Sequence, residues 1–358
     1  MRLSRFPGKS EPDPPLQVTI PRYASGVRPT VHSPQSAEAS TRPNGQTVEA
    51  DGVSFRPPVR LRLWPVVTVV GLALPLLVGT ATLAAWSLAF LEGDGSGWRD
   101  EATLRRLSRT RFGFLVTVIL PQFVMVSPAI VAAYRSPRGF IDRLSLRRGH
   151  WPLWAWAAAA LTTPLIAMTS GLITTMIFGE SDGLRRAGDL FQSVGQGGFA
   201  VVVALAIGMT PAICEELLFR GYAQTRLLRM MPAWIAVGLT AIIFAAFHMD
   251  PVHAVAVFPL GFYLGGLVRH SGSIFPAMLA HFANNSISVA LLVSSPRPVD
   301  GELPLPPPAV LVAILAVLAT AFFSSLATIY ACVNFPLIPP GKFHTPADEA
   351  PTADDRSE

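Results

Sequence analysis

The sequence predicts an all-α fold, a polytopic transmembrane helical bundle of about eight spans. Three observations carry that expectation. Charged residues make up only 14% of the chain, against ~25% in a usual soluble domain. The mean hydropathy is positive, at +0.44. Apolar runs of roughly the 20 residues that a helix needs to cross a bilayer recur along most of the chain. Runs of that length argue for helices rather than a barrel.

The elements follow in order. Residues 1–60 are rich in Pro, Ser and Arg ("EPDPPLQ", "VHSPQSAEASTRPNGQT"). They offer too little apolar area to order themselves, so a disordered N-terminal tail is expected. No apolar run precedes Leu61, so no cleavable signal peptide of the usual form is expected. The expected spans are residues 64–91, 112–134, 152–178, 198–222, 233–249, 252–269, 273–294 and 308–334. They divide into N-terminal transmembrane helices within 61–197, a motif-bearing core at 198–294 and a last transmembrane helix within 295–336. Residues 337–358 form an acidic tail, also expected to be disordered, and its end is not a prenylation box. The fifth and sixth spans are short and nearly fused through "HMDPVH", where Pro251 marks the break.

Orientation comes from the arginines, since Lys9 and Lys342 are the only lysines. Arg60 and Arg62 precede the first span. Arg135, Arg138, Arg143, Arg147 and Arg148 separate the second from the third, Arg226 and Arg229 follow the fourth, and Arg269 closes the sixth. Placing all of them in the cytoplasm puts both tails inside. The loop from Glu92 to Arg111 runs against this, with five arginines on the outer side. Basic residues that flank apolar segments are topology signals, so nucleic acid is excluded as a partner and the lipid bilayer is expected instead. Nothing in the sequence fixes an oligomeric state. Trp64, Trp86, Trp151, Trp154 and Trp156 lie near span ends and are expected as interfacial anchors. Cys214 and Cys332 sit inside apolar segments, so neither a disulfide framework nor a Cys-based zinc site is expected.

The stretch "AICEELLFRGY", Ala212 to Tyr222, places two glutamates and an arginine where lipid should be. A charge at that depth costs at least ~2.5 kcal/mol and usually marks function. Adjacent helical residues diverge by about 100°, so Glu215 and Glu216 face different ways. Glu216 and Arg220 are four apart in the favourable order and are expected to pair as a buried structural contact. Glu215 then has no partner on its own helix. Pro211, four residues before it, removes one helical hydrogen bond. Two more stretches supply candidate partners. "FAAFHMD" carries Phe244 and His248, and "AHFANNS" carries His281 and Asn285 on one face. Counted from the turn near Met230 and Pro232, Glu215 and His248 both lie ~22–24 Å along their helices, so an antiparallel hairpin brings them level. His253 is near enough for a supporting role. Cys214 has no His at helical spacing to activate it, so it is not expected as a nucleophile. His32 and His344 fall in the tails, and His150 and His270 fall among arginines at span ends.

The order Glu-Glu-x-x-x-Arg, Phe-x-x-x-His, His-x-x-x-Asn resembles the CAAX prenyl protease and bacteriocin-processing (CPBP, or Abi) family of intramembrane proteases, in its CAAX prenyl protease 2-like form. The residues that match are Glu215, Glu216, Arg220, Phe244, His248, His281 and Asn285, within roughly 198–294. "FRGY" and "GSIFPAMLAH" also look like the family's flanking residues. The resemblance implies an endopeptidase acting within the membrane on protein or peptide substrates, membrane-associated or lipidated. It implies that Glu215 and His248 activate water while His281 and Asn285 bind the oxyanion. Residue types agree: a desolvated carboxylate suits a general base, and His and Asn can donate to developing negative charge. The family is also labelled metalloprotease, and Glu215, His248 and His281 would be a plausible zinc set with one position left for water. No His-Glu-x-x-His pair is present. A metal-free mechanism with no required cofactor is favoured, and zinc stays open.

Two other readings stand beside this one. A proton-coupled transporter would use intramembrane carboxylates as relays. It predicts matching halves, and no second Glu-Glu pattern occurs. A non-catalytic immunity or binding protein would use the same residues for structure, in line with the family's link to bacteriocin self-immunity. The Arg-rich, Lys-poor composition suggests a bacterial plasma membrane as the location.

Overall fold

The computed structural model describes residues 62–92, 106, 109–137, 139–294 and 308–335. Both tails, Arg60, Arg138 and most of the Glu92–Arg111 loop lie outside the described residues. Every regular element among the described residues is helical. They are α1 (Trp64–Glu92), α2 (Arg111–Tyr134), α3 (Phe140–Arg143), α4 (Leu153–Phe178), α5 (Asp182–Val194) and α6 (Ala200–Glu216). Helix α6 continues as a π-helix (Leu217–Gln224) and a short α7 (Thr225–Leu227), and α8 (Ala233–Ala246), α9 (Pro251–Ser271), α10 (Phe275–Ser294) and α11 (Pro308–Asn334) follow. Seven stretches are long and apolar enough to cross a membrane. The protein is a polytopic integral membrane protein, as expected.

The fifth expected span is the exception. The apolar run predicts 233–249, but α8 is a 14-residue helix that stops at Ala246. At ~1.5 Å per residue it reaches about 21 Å, short of the ~30 Å hydrocarbon core. Pro232 sets its start. Its end is set by Met249, whose positive φ of 55° breaks the helix before Pro251 opens α9. The gap between the third and fourth spans holds a further helix. Helix α5 carries Leu184, Ala187, Leu190, Phe191 and Val194 at helical spacing, with Arg185, Arg186 and Asp189 between them.

Helix starts follow local chemistry. Thr110, Ser181 and Asp250 are N-caps whose side chains accept from the backbone N–H of Gly113, Leu184 and His253. Ser181 also donates to the Asp250 carboxylate, which ties the start of α5 to the start of α9. Asp250 lies outside the spans. The His253 backbone N–H, then the Ser181 hydroxyl, hold its carboxyl below the usual carboxylate range.

Prolines inside the spans each release a carbonyl four residues earlier, and in lipid that carbonyl must find a donor. Before Pro128, Ser127 donates to Val124 O at 2.7 Å. Before Pro164, Thr163 donates to Ala160 O at 2.7 Å. At Pro211 the released carbonyl is that of Ile207, and the donor comes from another helix: Asn285 of α10, at 3.2 Å.

Packing places α6 against α10 and α2, α10 also against α4, α8 against α9, and α11 on α4. One apolar cluster gathers Met125, Val126, Leu218, Phe219, Tyr222 and Phe244 around the π-helical stretch. A second gathers Trp151, Leu260, Leu264 and Ile274. Trp151 was expected at the interface but is a core residue, 1% exposed. Arg143 was expected as a topology signal, yet it is buried. It donates to Tyr222 O and Thr225 Oγ1, both at 3.2 Å, with its guanidinium 4.1 Å from the Tyr222 ring centroid. Gly221 permits that approach, because a Cβ there would lie 2.9 Å from the Leu144 carbonyl oxygen.

Candidate active site

Glu216 and Arg220 are both fully buried, and Arg220 Nη1 meets Glu216 Oε1 at 2.7 Å. Arg220 Nη2 donates to Gly261 O at 2.9 Å, and one helical turn on, Gln224 Nε2 donates to Gly265 O at 2.9 Å. The two glycines let α9 come this close. A Cβ at Gly261 would lie 2.9 Å from Phe244, and one at Gly265 would lie 2.7 Å from Gln224. Phe244 covers the guanidinium, with its ring centroid 4.3 Å from Arg220 Cζ. Phe219 packs edge-on against Phe244 and Phe247, which seats α8 beside the π-helical stretch. Departures from α to π geometry recur at functional sites in helices.

His281 joins the same carboxylate, with Nδ1 3.0 Å from Glu216 Oε1. A carboxylate only accepts, so Nδ1 carries the proton in this contact and Nε2 is turned the other way. There it faces Glu215, at 4.0 Å from Oε2. Glu215 keeps 15% of its side-chain surface exposed, where Glu216 keeps none. Its Oε1 accepts from Gln122 Nε2 of α2 at 3.3 Å. Gln122 is the residue that motif reading missed. A glutamine within an apolar run was a visible signal, but nothing in one sequence joined α2 to α6.

His248 lies at the end of α8. Its Nδ1 donates to Phe244 O at 3.2 Å, which leaves Nε2 as the acceptor nitrogen. Its ring contacts Phe244 at 5.3 Å and His253 at 4.7 Å between centroids, and Phe244 also touches His281 at 5.8 Å. Phe244 is thus the shared wall between the two motif histidines. Among the described residues, no hydrogen bond joins His248 to Glu215. Asn285 uses one amide hydrogen on Ile207 O, and its Oδ1 accepts from Asn284 at 3.1 Å. Cys214 is buried beside Glu215 as a free thiol.

A zinc ion held by Glu215, His248 and His281 would need all three within ~2.0–2.2 Å of one point. Among the described residues, no three His, Cys, Asp or Glu side chains are gathered to hold a metal. The Nδ1 bonds of His281 to Glu216 and of His248 to Phe244 leave both Nε2 atoms of the neutral rings as acceptors, as in a zinc ligand, so what is missing is convergence on one point and not donor chemistry. The residues so placed do not fit the ion.

The fold and these contacts define a helical membrane protein with an acidic pair in its interior, one carboxylate locked and one nearly free. Residues 197–287 match the Rce1-like family, described as Type II CAAX prenyl endopeptidase Rce1-like. That segment is about a quarter of the chain and contains all seven motif residues. It agrees with the family resemblance that the motifs gave and supports a protease of the CAAX type. No curated protein and no solved structure matches.

Proposed function

We propose that the protein is an intramembrane endopeptidase that hydrolyses peptide bonds of membrane-associated or lipidated substrates with water activated by Glu215 and His248. The observation that carries this reading is the contrast within the acidic pair. Glu216 is fully buried, with its charge matched by Arg220 and a second donor in His281, both on Oε1, while Glu215 has one amide donor, no arginine against it, and remains partly open. An intramembrane carboxylate with no arginine or lysine paired to it needs a reason, and proton abstraction supplies one.

In this scheme Glu215 takes a proton from a water held between it and His248. The hydroxide adds to the scissile carbonyl carbon, and the oxyanion is met by His281, in the doubly protonated form whose Nε2–H is left to donate, and by the second amide hydrogen of Asn285. The C–N bond then breaks and the proton held by Glu215 passes to the leaving amine, so protons balance without a cofactor. Glu216, Arg220 and Phe244 hold His281 and the helices in register. Residues 198–294 form the catalytic core, with the remaining spans around it. Both tails lie in the cytoplasm of a bacterial plasma membrane, in keeping with the arginine distribution, with α8 and α9 together entering and leaving the bilayer on the cytoplasmic side.

A rival reading takes support from Asn285, whose bond to Ile207 is explained by Pro211 alone. It makes the protein a non-catalytic membrane immunity or binding protein. Proteolysis separates the two. Purified protein in lipid nanodiscs should cleave a farnesylated peptide ending in a CAAX sequence, and activity should survive a zinc chelator. Absence of cleavage across a panel of lipidated and unlipidated membrane peptides would favour the binding protein. Activity lost on chelation and regained only with stoichiometric zinc would overturn the metal-free scheme.

A further inference from the structure

The segment that matches the protease family begins long after α2, yet α2 reaches the carboxylate to which the proposed function gives the chemistry. Gln122 donates to Glu215 Oε1 at 3.3 Å, and among the described residues no other hydrogen bond reaches that carboxylate. Glu215 Oε2, the other oxygen, is the one turned toward His281. The carboxylate is therefore held at one oxygen by α2 and directed at the other toward α10.

The surroundings of Gln122 give it no other polar purpose. Its backbone is anchored by buried Pro121, and Met125 and Val126 in the next turn pack into the apolar cluster with Cys214, Leu218 and Phe219. Its Oε1 is enclosed with no partner among the described residues. Enclosing an amide oxygen in that way opposes folding, and a hydrophobic side chain of the same length would avoid it. What the amide gains is the bond to Glu215. Its orientation is also dictated, since the flipped amide would set one oxygen against another.

We infer that Gln122 is a positioning residue for the general base, fixing Oε1 of Glu215 so that Oε2 faces the water and scissile carbonyl beside His281. This rests on the proposed role of Glu215. It extends the reaction centre to the second span, outside the motif-bearing core. A rotating carboxylate presents its reactive lone pair only part of the time, and holding one oxygen removes that loss from the chemical step rather than from substrate binding.

The test uses Gln122→Met, which keeps the length and removes the donor, and Gln122→Asn, which keeps the amide but draws it back by one methylene. The full-length protein is placed in lipid nanodiscs. Turnover is read on a farnesylated CAAX-terminated peptide. Both variants should melt as wild type, lose about tenfold in kcat and keep KM within about twofold, the pattern expected when a hydrogen bond to a reacting charged group is lost. An infrared difference spectrum between proteins with and without Glu215→Gln isolates the Glu215 carboxyl band. That band should move when the same pair is compared in the Gln122→Met background. An unchanged kcat per folded molecule, or a band at the same position in both backgrounds, would overturn the inference. If wild type itself leaves the peptide intact, the proposed reaction fails for that substrate, and the infrared comparison alone decides the role of Gln122.

Discussion

Two faces of one helix, α6 and its π-helical continuation, carry charge in opposite ways. The face with Glu216, Arg220 and Gln224 is fully buried and bonded to its neighbours. Its carboxylate accepts from Arg220 and His281, and its guanidinium and amide end on the Gly261 and Gly265 carbonyls. The neighbouring face with Glu215 is held by one amide and stays partly exposed. Adjacent residues about 100° apart on a helix thus separate a carboxylate that organises the bundle from one that is left to react. The comparison teaches that a charged motif in a membrane need not be read as one unit.

The largest effect should come from breaking the buried face. Glu216→Ala leaves Arg220 buried without its carboxylate, at an expected cost of ~3–5 kcal/mol. Folded protein, measured by size-exclusion yield and thermal melting in detergent, should fall with activity. A variant that melts as wild type would move Glu216 into the chemistry.

Asn285 sharpens the comparison, because it serves both structure and the proposed oxyanion site. Asn285→Ala should lower turnover by on the order of 100-fold, as loss of one oxyanion donor does. It should also lower stability, by stranding the Ile207 carbonyl. Adding Pro211→Ala restores a backbone N–H to that carbonyl, so the double variant should melt closer to wild type while turnover stays low. Recovery of both would leave Asn285 a purely structural role.

A smaller loss is expected at Gly221. Its Cβ would press on the Leu144 carbonyl, which is backbone and cannot swing away. Gly221→Ala should destabilise by ~1–3 kcal/mol, read as a lower melting midpoint, with kcat per folded molecule retained.

The smallest effect concerns pH. The Asp250 carboxyl is held low by the His253 N–H and the Ser181 hydroxyl. Its stabilisation is present above the unfolded-state value of ~3.9 and is lost as pH falls through the lower folded value. Melting of wild type should decline faster than that of Asp250→Asn below about pH 4. Parallel declines would show that this cap does not titrate as described.

The sequence made the bundle legible because lipid imposes one rule, long apolar runs, and seven of the eight expected spans meet it. What it hid was set by neighbours. Helix α5 is amphipathic and charged, so a search for continuous apolar runs passes over it, although Leu184, Leu190, Phe191 and Val194 show its periodicity. Helix α8 looked long enough until Met249 and Pro251 cut it short. The Glu216–Arg220 pair lay within reach of sequence, since four-residue spacing is local. The Gln122–Glu215 bond and the Asn285–Ile207 bond lay beyond it, as each joins helices many tens of residues apart. Pro211 pointed to a carbonyl needing a donor and could not say which helix would supply it.

One measurement bears most directly on the difference between the two faces. Glu215→Gln and Glu216→Gln are prepared side by side in nanodiscs, and cleavage of a farnesylated CAAX peptide is normalised to folded protein. Glu215→Gln should melt as wild type and show no cleavage above background. Glu215→Gln that cleaves at the wild-type rate would contradict the account.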